Sequence, residues 1–285
     1  MEERIIVTLT TWSKRIRNIP TVLDTIYAQT VVPDIVVLNL AFDEVVPEAV
    51  QHYLDLHMIE VNRVEDTKVY KKLIPTLKKY PNDCVISIDD DWLYPEGMIA
   101  DFMNVHTKYP NNPVSGNREV VFGLPCHCGC ASLTKAAYFG RYLDMIDEDV
   151  MKNCPSDDLV YSYLATMAGH PYYRSHNEYF FNMTPYCSNE GYSENNPWLG
   201  MCRTFEYLRS RFGNLPSIIS LYVSDKDIAD LLEDYVVKST KYYVTCKEQE
   251  TEARIYATYS FRIGQAIVKP FRWLKRAIKG GEIKR

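Results

Sequence analysis

Three consecutive carboxylates, Asp89, Asp90 and Asp91, come directly after a short apolar run at 84–88. The run is rich in β-branched residues, which predicts a strand buried on both faces. Carboxylates about 4 Å apart repel each other by about 4 kcal/mol at a surface-like dielectric constant, so the cluster needs a cation or a basic partner. Because ligands of open α/β sheets bind at the carboxyl ends of strands, a metal site is indicated. The alternative is a solvated acidic turn.

A second carboxylate pair, Asp157 and Asp158, follows Pro155 and Ser156. This arrangement is typical of a helix start and predicts a helix over 157–168. Ser156 or Asp157 suits the N-cap position, where a side-chain oxygen accepts hydrogen bonds from free backbone N–H groups. Capping is therefore the structural interpretation of this pair.

The elements that must position these carboxylates alternate between strand and helix. Short apolar runs predict strands at 5–9, 35–40, 58–61 and 84–88. Helical spacing of apolar residues predicts helices at 20–28, 47–57, 69–80, 133–143 and 157–168. This alternation favours an α/β fold with a mostly parallel, doubly wound central sheet flanked by helices.

The order of these parts resembles the first half of family 2-like GT-A glycosyltransferases of the bacterial polysaccharide type. In that family a first strand is followed by a nucleotide-binding loop, a helix that ends in Gln-Thr, a second strand and an acidic DXD element. The matching parts here are the loop after Thr8, the helix that ends at Gln29 and Thr30, and the three aspartates. The resemblance covers about residues 4–180 and implies a GT-A (Rossmann-like) fold.

A nucleotide-sugar donor leaves as a diphosphate, whose charge a divalent cation with oxygen ligands can stabilise. The resemblance therefore implies Mn²⁺ or Mg²⁺ as cofactor, with Asp91 as a direct ligand. Asp89 is expected to bind the metal, the ribose or a metal-bound water, and Asp90 to reach the sugar or ribose. His176 is expected to complete the metal shell, as a late histidine does in many GT-A enzymes. A core or surface histidine is the alternative.

The resemblance also places a set of residues around the donor. They are Thr8, Thr10, Thr11 and Arg15 at the nucleobase and ribose, Lys72 near the diphosphate, and Gly129 beside the sugar. Ordinary loop polarity and a solvated lysine are the alternatives. The segment 126–130 also contains Cys and His, but alternating ligands cannot all reach one tetrahedral zinc ion.

Asp157 and Asp158 lie where GT-A enzymes carry acidic residues at the start of the acceptor-side helix. In inverting members of the family, such a carboxylate accepts the proton of the attacking hydroxyl. The resemblance therefore implies inverting chemistry with Asp158 as the base, and Asp157 is the alternative base.

The charge of the chain is unevenly distributed. A formal net charge of −5 argues against a general nucleic-acid-binding protein, which needs a basic surface. Segment 261–285 contains eight Lys or Arg and one acid, so it carries +7 and the remaining residues carry −12. Apolar residues from Ile263 to Ile278 recur there at helical spacing, which predicts a basic amphipathic helix that binds an anionic membrane surface. A helix packed on the domain, with a solvated basic side, is the alternative.

The predicted organisation is a GT-A domain over 1–240, followed by a C-terminal helical extension at 241–285. Residues 1–100 are expected to form the nucleotide-binding half and 101–240 the acceptor half. We see no signal-peptide core and no membrane-spanning stretch in the sequence, and expect the eight cysteines to be reduced thiols. The expected location is the cytoplasm, peripheral on the inner face of the cell membrane.

The predicted function is metal-dependent transfer of a sugar from a nucleotide donor, with a UDP-sugar expected first. The expected acceptor is a saccharide, lipid-linked, in surface polysaccharide synthesis. One alternative is a nucleotidyltransferase on a related fold, although such enzymes carry a Gly-rich loop where this chain has Thr10, Thr11 and Trp12. Another is a non-catalytic, membrane-associated sugar-binding scaffold. The second strand favours it by ending at Asn39, where the family has an acidic pair that contacts the nucleotide.

Overall fold

The computed structural model describes residues 3–46, 48–116, 120–122, 124–127, 130–175, 184–185, 197–216, 248 and 251. The predictions for Gly129 and His176 lie outside these residues, as does nearly all of the predicted extension at 241–285. The division of the chain near residue 240 therefore stays a prediction.

Strands and helices alternate through the first half of the chain, as the sequence predicted. The strands are β1 (Ile5–Thr10), β2 (Ile35–Ala41), β3 (Ile59–Val64), β4 (Cys84–Ile88), β5 (Trp92–Leu93), β6 (Val114–Ser115), β7 (Val120–Val121), β8 (Leu124–Pro125), β9 (Ala131–Thr134), β10 (Tyr173–Arg174) and β11 (Thr184–Pro185). The α-helices are α1 (Ile19–Tyr27), α2 (Glu48–Asp55), α3 (Ile74–Lys79), α4 (Met98–Lys108), α5 (Glu148–Asn153), α6 (Asp157–Met167) and α7 (Pro197–Phe212). Short 3-10 helices lie at Ile16–Asn18, Lys68–Lys72, Ala136–Tyr138 and Gly140–Met145.

Within the described part of the chain, seven strands form one central sheet in the order β10-β6-β9-β4-β1-β2-β3. β1 is parallel to both β2 and β4, and β2 is parallel to β3, which is the pairing that helical crossovers produce. β9 runs antiparallel to β4 and to β6. The predicted α/β fold, with a mostly parallel central sheet flanked by helices, is confirmed.

The central strands are buried on both faces because helices cover both. Val7 and Ile86 lie in one hydrophobic cluster with residues of α1, α2 and α4. Ile6 and Val85 lie in a second cluster with residues of α3, α6 and α7. Since successive side chains of a strand point to opposite faces, residues just beyond β4 are expected to divide between these two sides in the same way.

The helix predicted at 133–143 is wrong. The structure has the end of β9 there, followed by two short 3-10 helices. All four residues of β9 are buried, and they pair with β4 on one side and with β6 on the other. Pairing within the sheet therefore overrides the helical spacing of the apolar residues.

The cysteines differ in state. Cys84 and Cys154 are free thiols, whereas Cys202 is disulfide-bonded. The expectation of reduced thiols throughout is therefore wrong at Cys202. Among the described helices, none combines the length and the apolar character that crossing a membrane requires.

Candidate active site

Asp89, Asp90 and Asp91, called the acidic triad below, lie at the carboxyl end of β4, beside the end of β1. Their side chains differ in exposure, at 30% for Asp89, 1% for Asp90 and 16% for Asp91. The outer two carboxylates therefore remain accessible, while the middle one is enclosed by protein. Because Asp90 is buried, the turn is not fully solvated, and the alternative interpretation of these aspartates is wrong.

Arg15 holds two members of the acidic triad at once. One terminal nitrogen of its guanidinium lies 2.7 Å from Asp90 Oδ1 and the other lies 2.6 Å from Asp91 Oδ2. Thr11 donates a hydrogen bond of 2.5 Å to Asp90 Oδ2. Both oxygens of Asp90 are thus engaged, so Asp90 ties the loop after β1 to the end of β4. Burial raises the pKa of the Asp90 carboxyl to about 6, against the opposing effects of Arg15 and Thr11.

Lys72 approaches the acidic triad from the other side of the sheet. Its Nζ lies 2.8 Å from Asp89 Oδ1, and 6% of its side chain is exposed. Burial alone would lower the pKa of Lys72, but the charges of Asp89, Asp157 and Asp158 outweigh burial and raise it. The buried ammonium group therefore lies in the field of both predicted carboxylate clusters.

A buried polar network beneath the site positions the backbone of Lys72. Thr8 donates a hydrogen bond of 2.7 Å to the carbonyl oxygen of Lys72, and the Asn39 amide donates one of 3.1 Å to the same oxygen. Thr8 and Asn39 have no exposed surface, and Thr10 donates a hydrogen bond to the Asn39 carbonyl. Thr8 therefore lies below the site instead of lining it. Asn39 has a structural role that its place in an apolar strand could have signalled.

Asp157 and Asp158 open helix α6, as predicted. Ser156 occupies the N-cap position, but its side chain makes no capping hydrogen bond. Asp157 is 5% exposed, and its Oδ2 has no hydrogen-bond partner among the described residues. Burial raises the pKa of Asp157, while Lys72 and backbone N–H groups at the helix start oppose that rise. A buried carboxylate oxygen without a partner is costly, which marks Asp157 as a candidate functional group.

Tyr94 fixes the backbone of the acidic triad. Its hydroxyl accepts a hydrogen bond of 2.8 Å from the Asp89 N–H and donates one of 2.7 Å to the carbonyl of Cys130. Tyr94 is 4% exposed, so both bonds are sheltered from water. This residue joins the triad to the segment after β8, a role that sequence reasoning did not assign.

The Gln-Thr pair at the end of the first helix supports the turn behind the acidic triad. The Gln29 side chain donates a hydrogen bond of 2.8 Å to the Pro95 carbonyl and accepts one of 3.1 Å from the Ile99 N–H. The Thr30 N–H donates one of 2.8 Å to the Glu96 carbonyl. These residues therefore hold the acidic end of β4 against α1.

His127 packs into the core beneath the site. Its backbone N–H donates a hydrogen bond of 2.7 Å to Ser162 Oγ, and its Nδ1 lies 3.0 Å from the Tyr172 hydroxyl. Burial, assisted by Lys72, lowers the pKa of His127 well below its usual value. His127 is thus a neutral residue that joins β4, α6 and the segment before β10.

The structure brings together most of the predicted site residues. Direct contacts join Thr11, Arg15 and Lys72 to the acidic triad, and Asp157 and Asp158 act electrostatically on Lys72. Thr8 and Thr10 lie at the base of the site, and the predictions for Gly129 and His176 fall outside the described residues.

Asp89 and Asp91 supply donor atoms of the type that hard divalent cations bind. Carboxylate oxygens are the ligands that Mg²⁺ and Mn²⁺ prefer. Lys72 contacts one oxygen of Asp89, and Arg15 contacts one oxygen of Asp91. Neither Lys72 nor Arg15 contacts the second oxygen of these two carboxylates. Asp89 and Asp91 are therefore the residues suited to hold a metal ion.

No protein-family model and no curated protein sequence matches the chain. Among solved structures, it is similar to the mannosyltransferase PcManGT from Pyrobaculum calidifontis in complex with GDP-Man and Mn²⁺, with 15% identity, a TM-score of 0.59, and 100% of this chain and 89% of that chain covered. It is also similar to S. aureus TarS 1–349 in complex with UDP, with 12% identity, a TM-score of 0.49, and 88% and 92% covered. The sheet order and the first of these similarities agree with the resemblance in the sequence. The chain has the fold of the GT-A glycosyltransferases.

Proposed function

We propose that the protein is a metal-dependent glycosyltransferase that moves a sugar from a nucleotide-sugar donor to a saccharide acceptor. The carrying observation is the position of Lys72, whose ammonium pairs with Asp89 and lies in the field of Asp157 and Asp158. Sugar transfer needs a cluster that neutralises the charge of the leaving diphosphate. It also needs, close by, a base that accepts the proton of the attacking hydroxyl.

The donor side of the site consists of the acidic triad and two cations. Asp89 and Asp91 are the proposed ligands of Mn²⁺ or Mg²⁺, an ion that supplies Lewis-acid stabilisation of the departing diphosphate when bound. Arg15 places a positive charge beside Asp90 and Asp91, and this charge favours binding of the donor phosphates. Asp90 holds Arg15 in place through its Oδ1 atom. Thr11 and Lys72 complete the proposed donor site, with Thr10 beside them.

The acceptor side consists of the carboxylate pair at the start of α6. We propose Asp158 as the base, because Asp158 is partly exposed whereas Asp157 is buried. The acceptor oxygen bonds to the sugar carbon as the bond from that carbon to the diphosphate oxygen breaks, and the hydroxyl proton passes to the carboxylate. Attack from the face opposite the diphosphate inverts the configuration. Asp157 is the alternative base.

The test is a thermal-shift screen of nucleotides and nucleotide sugars, with and without Mn²⁺. We expect a metal-dependent rise in melting temperature with one nucleotide class, and UDP-sugars and GDP-mannose belong in the first set. Asp91→Asn should remove the metal-dependent part of the shift. Asp144→Asn is the matched control, since Asp144 is 84% exposed in a surface ion pair. Absence of any metal-dependent shift in the wild type would contradict the proposal.

Product analysis separates the proposed reaction from its alternatives. A glycosyltransferase releases a nucleoside diphosphate and forms a glycoside, while a nucleotidyltransferase acting on a sugar phosphate releases pyrophosphate. Binding of nucleotide and Mn²⁺ without turnover on any acceptor would instead support a sugar-binding scaffold.

We further propose that the acceptor is lipid-linked and belongs to surface polysaccharide synthesis. The support is the basic amphipathic pattern at 261–285, which suits the anionic inner face of the cell membrane. Removing residues 261–285 should abolish binding to anionic liposomes and leave the nucleotide-dependent thermal shift intact. Undiminished liposome binding would contradict the assignment of membrane binding to this segment.

A further inference from the structure

Three side chains of metal-binding type meet at the edge of the sheet opposite the acidic triad. Glu3 Oε2 lies 3.3 Å from Cys84 Sγ and 3.2 Å from His106 Nε2. All three ligand atoms lie within 4.8 Å of one another. Cys84 is fully buried and His106 is 5% exposed, whereas 44% of the Glu3 side chain is exposed. The cluster therefore has two enclosed soft ligands and one ligand that faces solvent.

The two buried ligands stand on rigid elements. Cys84 is the first residue of β4, whose other end leads into the acidic triad, and His106 lies in the last turn of α4. Glu3 precedes β1 and is held by its neighbours. The Cys84 N–H donates a hydrogen bond of 3.0 Å to the Arg4 carbonyl, and the Arg4 guanidinium lies 2.6 Å from an Asp83 carboxylate oxygen. The chain thus presents all three side chains to one point.

Hydrogen bonding determines the tautomer of His106, and therefore which ring nitrogen carries the lone pair. Tyr138 donates its only hydroxyl hydrogen to the Pro110 carbonyl, at 2.8 Å. The same hydroxyl lies 3.3 Å from His106 Nδ1, so it can only accept a hydrogen from that nitrogen. In neutral His106 the lone pair is then on Nε2, which faces a carboxylate oxygen of Glu3. Two acceptors face each other, and a second ring proton or a metal ion must lie between them.

We propose that Glu3, Cys84 and His106 form a Zn²⁺ site. A tetrahedral Zn²⁺ has bonds of about 2.0–2.1 Å to nitrogen and oxygen and about 2.3 Å to sulfur, which places its ligand atoms about 3.3–3.6 Å apart. The distances from Glu3 Oε2 to the Cys84 sulfur, 3.3 Å, and to the His106 nitrogen, 3.2 Å, are slightly shorter than this spacing, so a small outward shift of the side chains admits the ion. Because Glu3 faces solvent, water or a small anion can occupy the fourth position.

The surroundings are those of a second coordination shell. A metal-binding histidine normally donates its other N–H to a fixed acceptor, and Tyr138 provides that acceptor for His106. Lys135 contacts the other oxygen of Glu3, Oε1, which leaves Oε2 for a monodentate bond to the ion. The carboxylate is therefore oriented before the ion binds.

The ligand types separate this site from the acidic triad. Thiolate and imidazole ligands favour Zn²⁺, whereas carboxylate oxygens suit Mg²⁺ and Mn²⁺. The Zn²⁺ site would join the segment before β1, the start of β4 and the end of α4. Its role is thus to stabilise the end of the sheet that lies away from the proposed chemistry, and it does not depend on the proposed function.

The test is equilibrium dialysis of the full chain against Zn²⁺, in a phosphine reductant, followed by elemental analysis. Cys84→Ser should lose one equivalent of bound zinc relative to Cys154→Ser. The control is closely matched, because Cys154 is also a fully buried free thiol. Tyr138→Phe should weaken zinc affinity about 10- to 100-fold while leaving the ligands in place.

Replacement of zinc by Co²⁺ gives an independent readout. Sulfur-to-cobalt charge-transfer absorption should appear in the wild type and in Cys154→Ser and be absent from Cys84→Ser. If Cys84→Ser destabilises the fold, His106→Gln and the surface variant Glu3→Gln repeat the comparison. Equal zinc content in Cys84→Ser and Cys154→Ser, or less than one equivalent in the wild type, would overturn the proposal. Asp91→Asn, which alters the acidic triad, should leave this zinc equivalent unchanged.

Discussion

Lys72 and Asp89 form an ion pair in which Nζ lies 2.8 Å from Oδ1, at the point where the two halves of the site meet. Lys72 comes from the 3-10 helix before α3, and Asp89 follows β4. Asp157 and Asp158 at the start of α6 act on the same ammonium and raise its pKa. The buried ammonium group of Lys72 therefore interacts electrostatically with both the acidic triad and the proposed base.

Replacement of Lys72 by Met should destabilise the protein by about 3 kcal/mol. Removing one partner of a buried ion pair leaves the other charge uncompensated, which typically costs 3–5 kcal/mol, and the partial exposure of Asp89 favours the lower value. Chemical denaturation at neutral pH measures the change. Lys78→Met is the matched control, because Lys78 forms an exposed ion pair with Asp144 and should cost less than about 1 kcal/mol. Equal losses in the two variants would contradict the importance of Lys72.

Replacement of Tyr94 by Phe should cost about 1–3 kcal/mol of stability. The change leaves the Asp89 N–H and the Cys130 carbonyl without their shared partner, and unsatisfied buried groups carry a cost of this size. Tyr142→Phe is the control, since among the described residues the Tyr142 hydroxyl has no hydrogen bond. A loss in Tyr94→Phe no larger than that in Tyr142→Phe would show that the hydroxyl does not hold the triad.

The sequence predicts the order of the strands and helices well, but it predicts the burial of individual residues poorly. The apolar run at 84–88 and the aspartates after it are a local pattern, so their place at the carboxyl end of a central strand could be predicted. Thr8 has the same polarity as Thr10 in the sequence, yet it is fully buried, because Lys72 and Thr76 pack directly against its hydroxyl. Burial of that kind depends on contacts with residues more than 60 positions away.

Long-range pairing also explains what the sequence did not predict. β9 lies between β4 and β6, and its Ser132 pairs with both Ser87 and Ser115. A four-residue strand of this kind has too little sequence for its pattern to be distinguished from a helix. The contact of Tyr94 with Cys130 and those of Arg15 with Asp90 and Asp91 likewise depend on partners that are distant in the chain.

Replacement of Arg15 by Gln should change metal and nucleotide affinity in opposite directions. Arg15 neutralises part of the charge on Asp90 and Asp91, so its loss should strengthen binding of Mn²⁺ alone. The same change removes a cation suited to phosphate, so nucleotide in the presence of Mn²⁺ should bind more weakly. Calorimetric titration measures both affinities, with the exposed Arg17→Gln as control. A parallel loss of both affinities would contradict this assignment.

The pH dependence of transfer should depend on the charge of Lys72. The base must be ionised to accept a proton, so kcat/KM should fall as the pH drops through its pKa. The charge of Lys72 interacts with Asp157 and with Asp158, the proposed base, and favours their ionised forms. Lys72→Gln should therefore move the acid limb of the pH profile to higher pH, whereas Lys72→Arg, which keeps the charge, should leave it near the wild-type position.

The two carboxylates at the start of α6 can then be separated by amide substitution. Asp158→Asn should lower kcat by about 10²–10⁴ and remove the acid limb, since it deletes the proposed base. Asp157→Asn should keep the acid limb, because the proposed base is still present. Donor binding should be retained in both variants, as measured by the thermal shift with nucleotide and Mn²⁺. The reverse pattern of activity would assign the proton transfer to Asp157, the buried member of the pair.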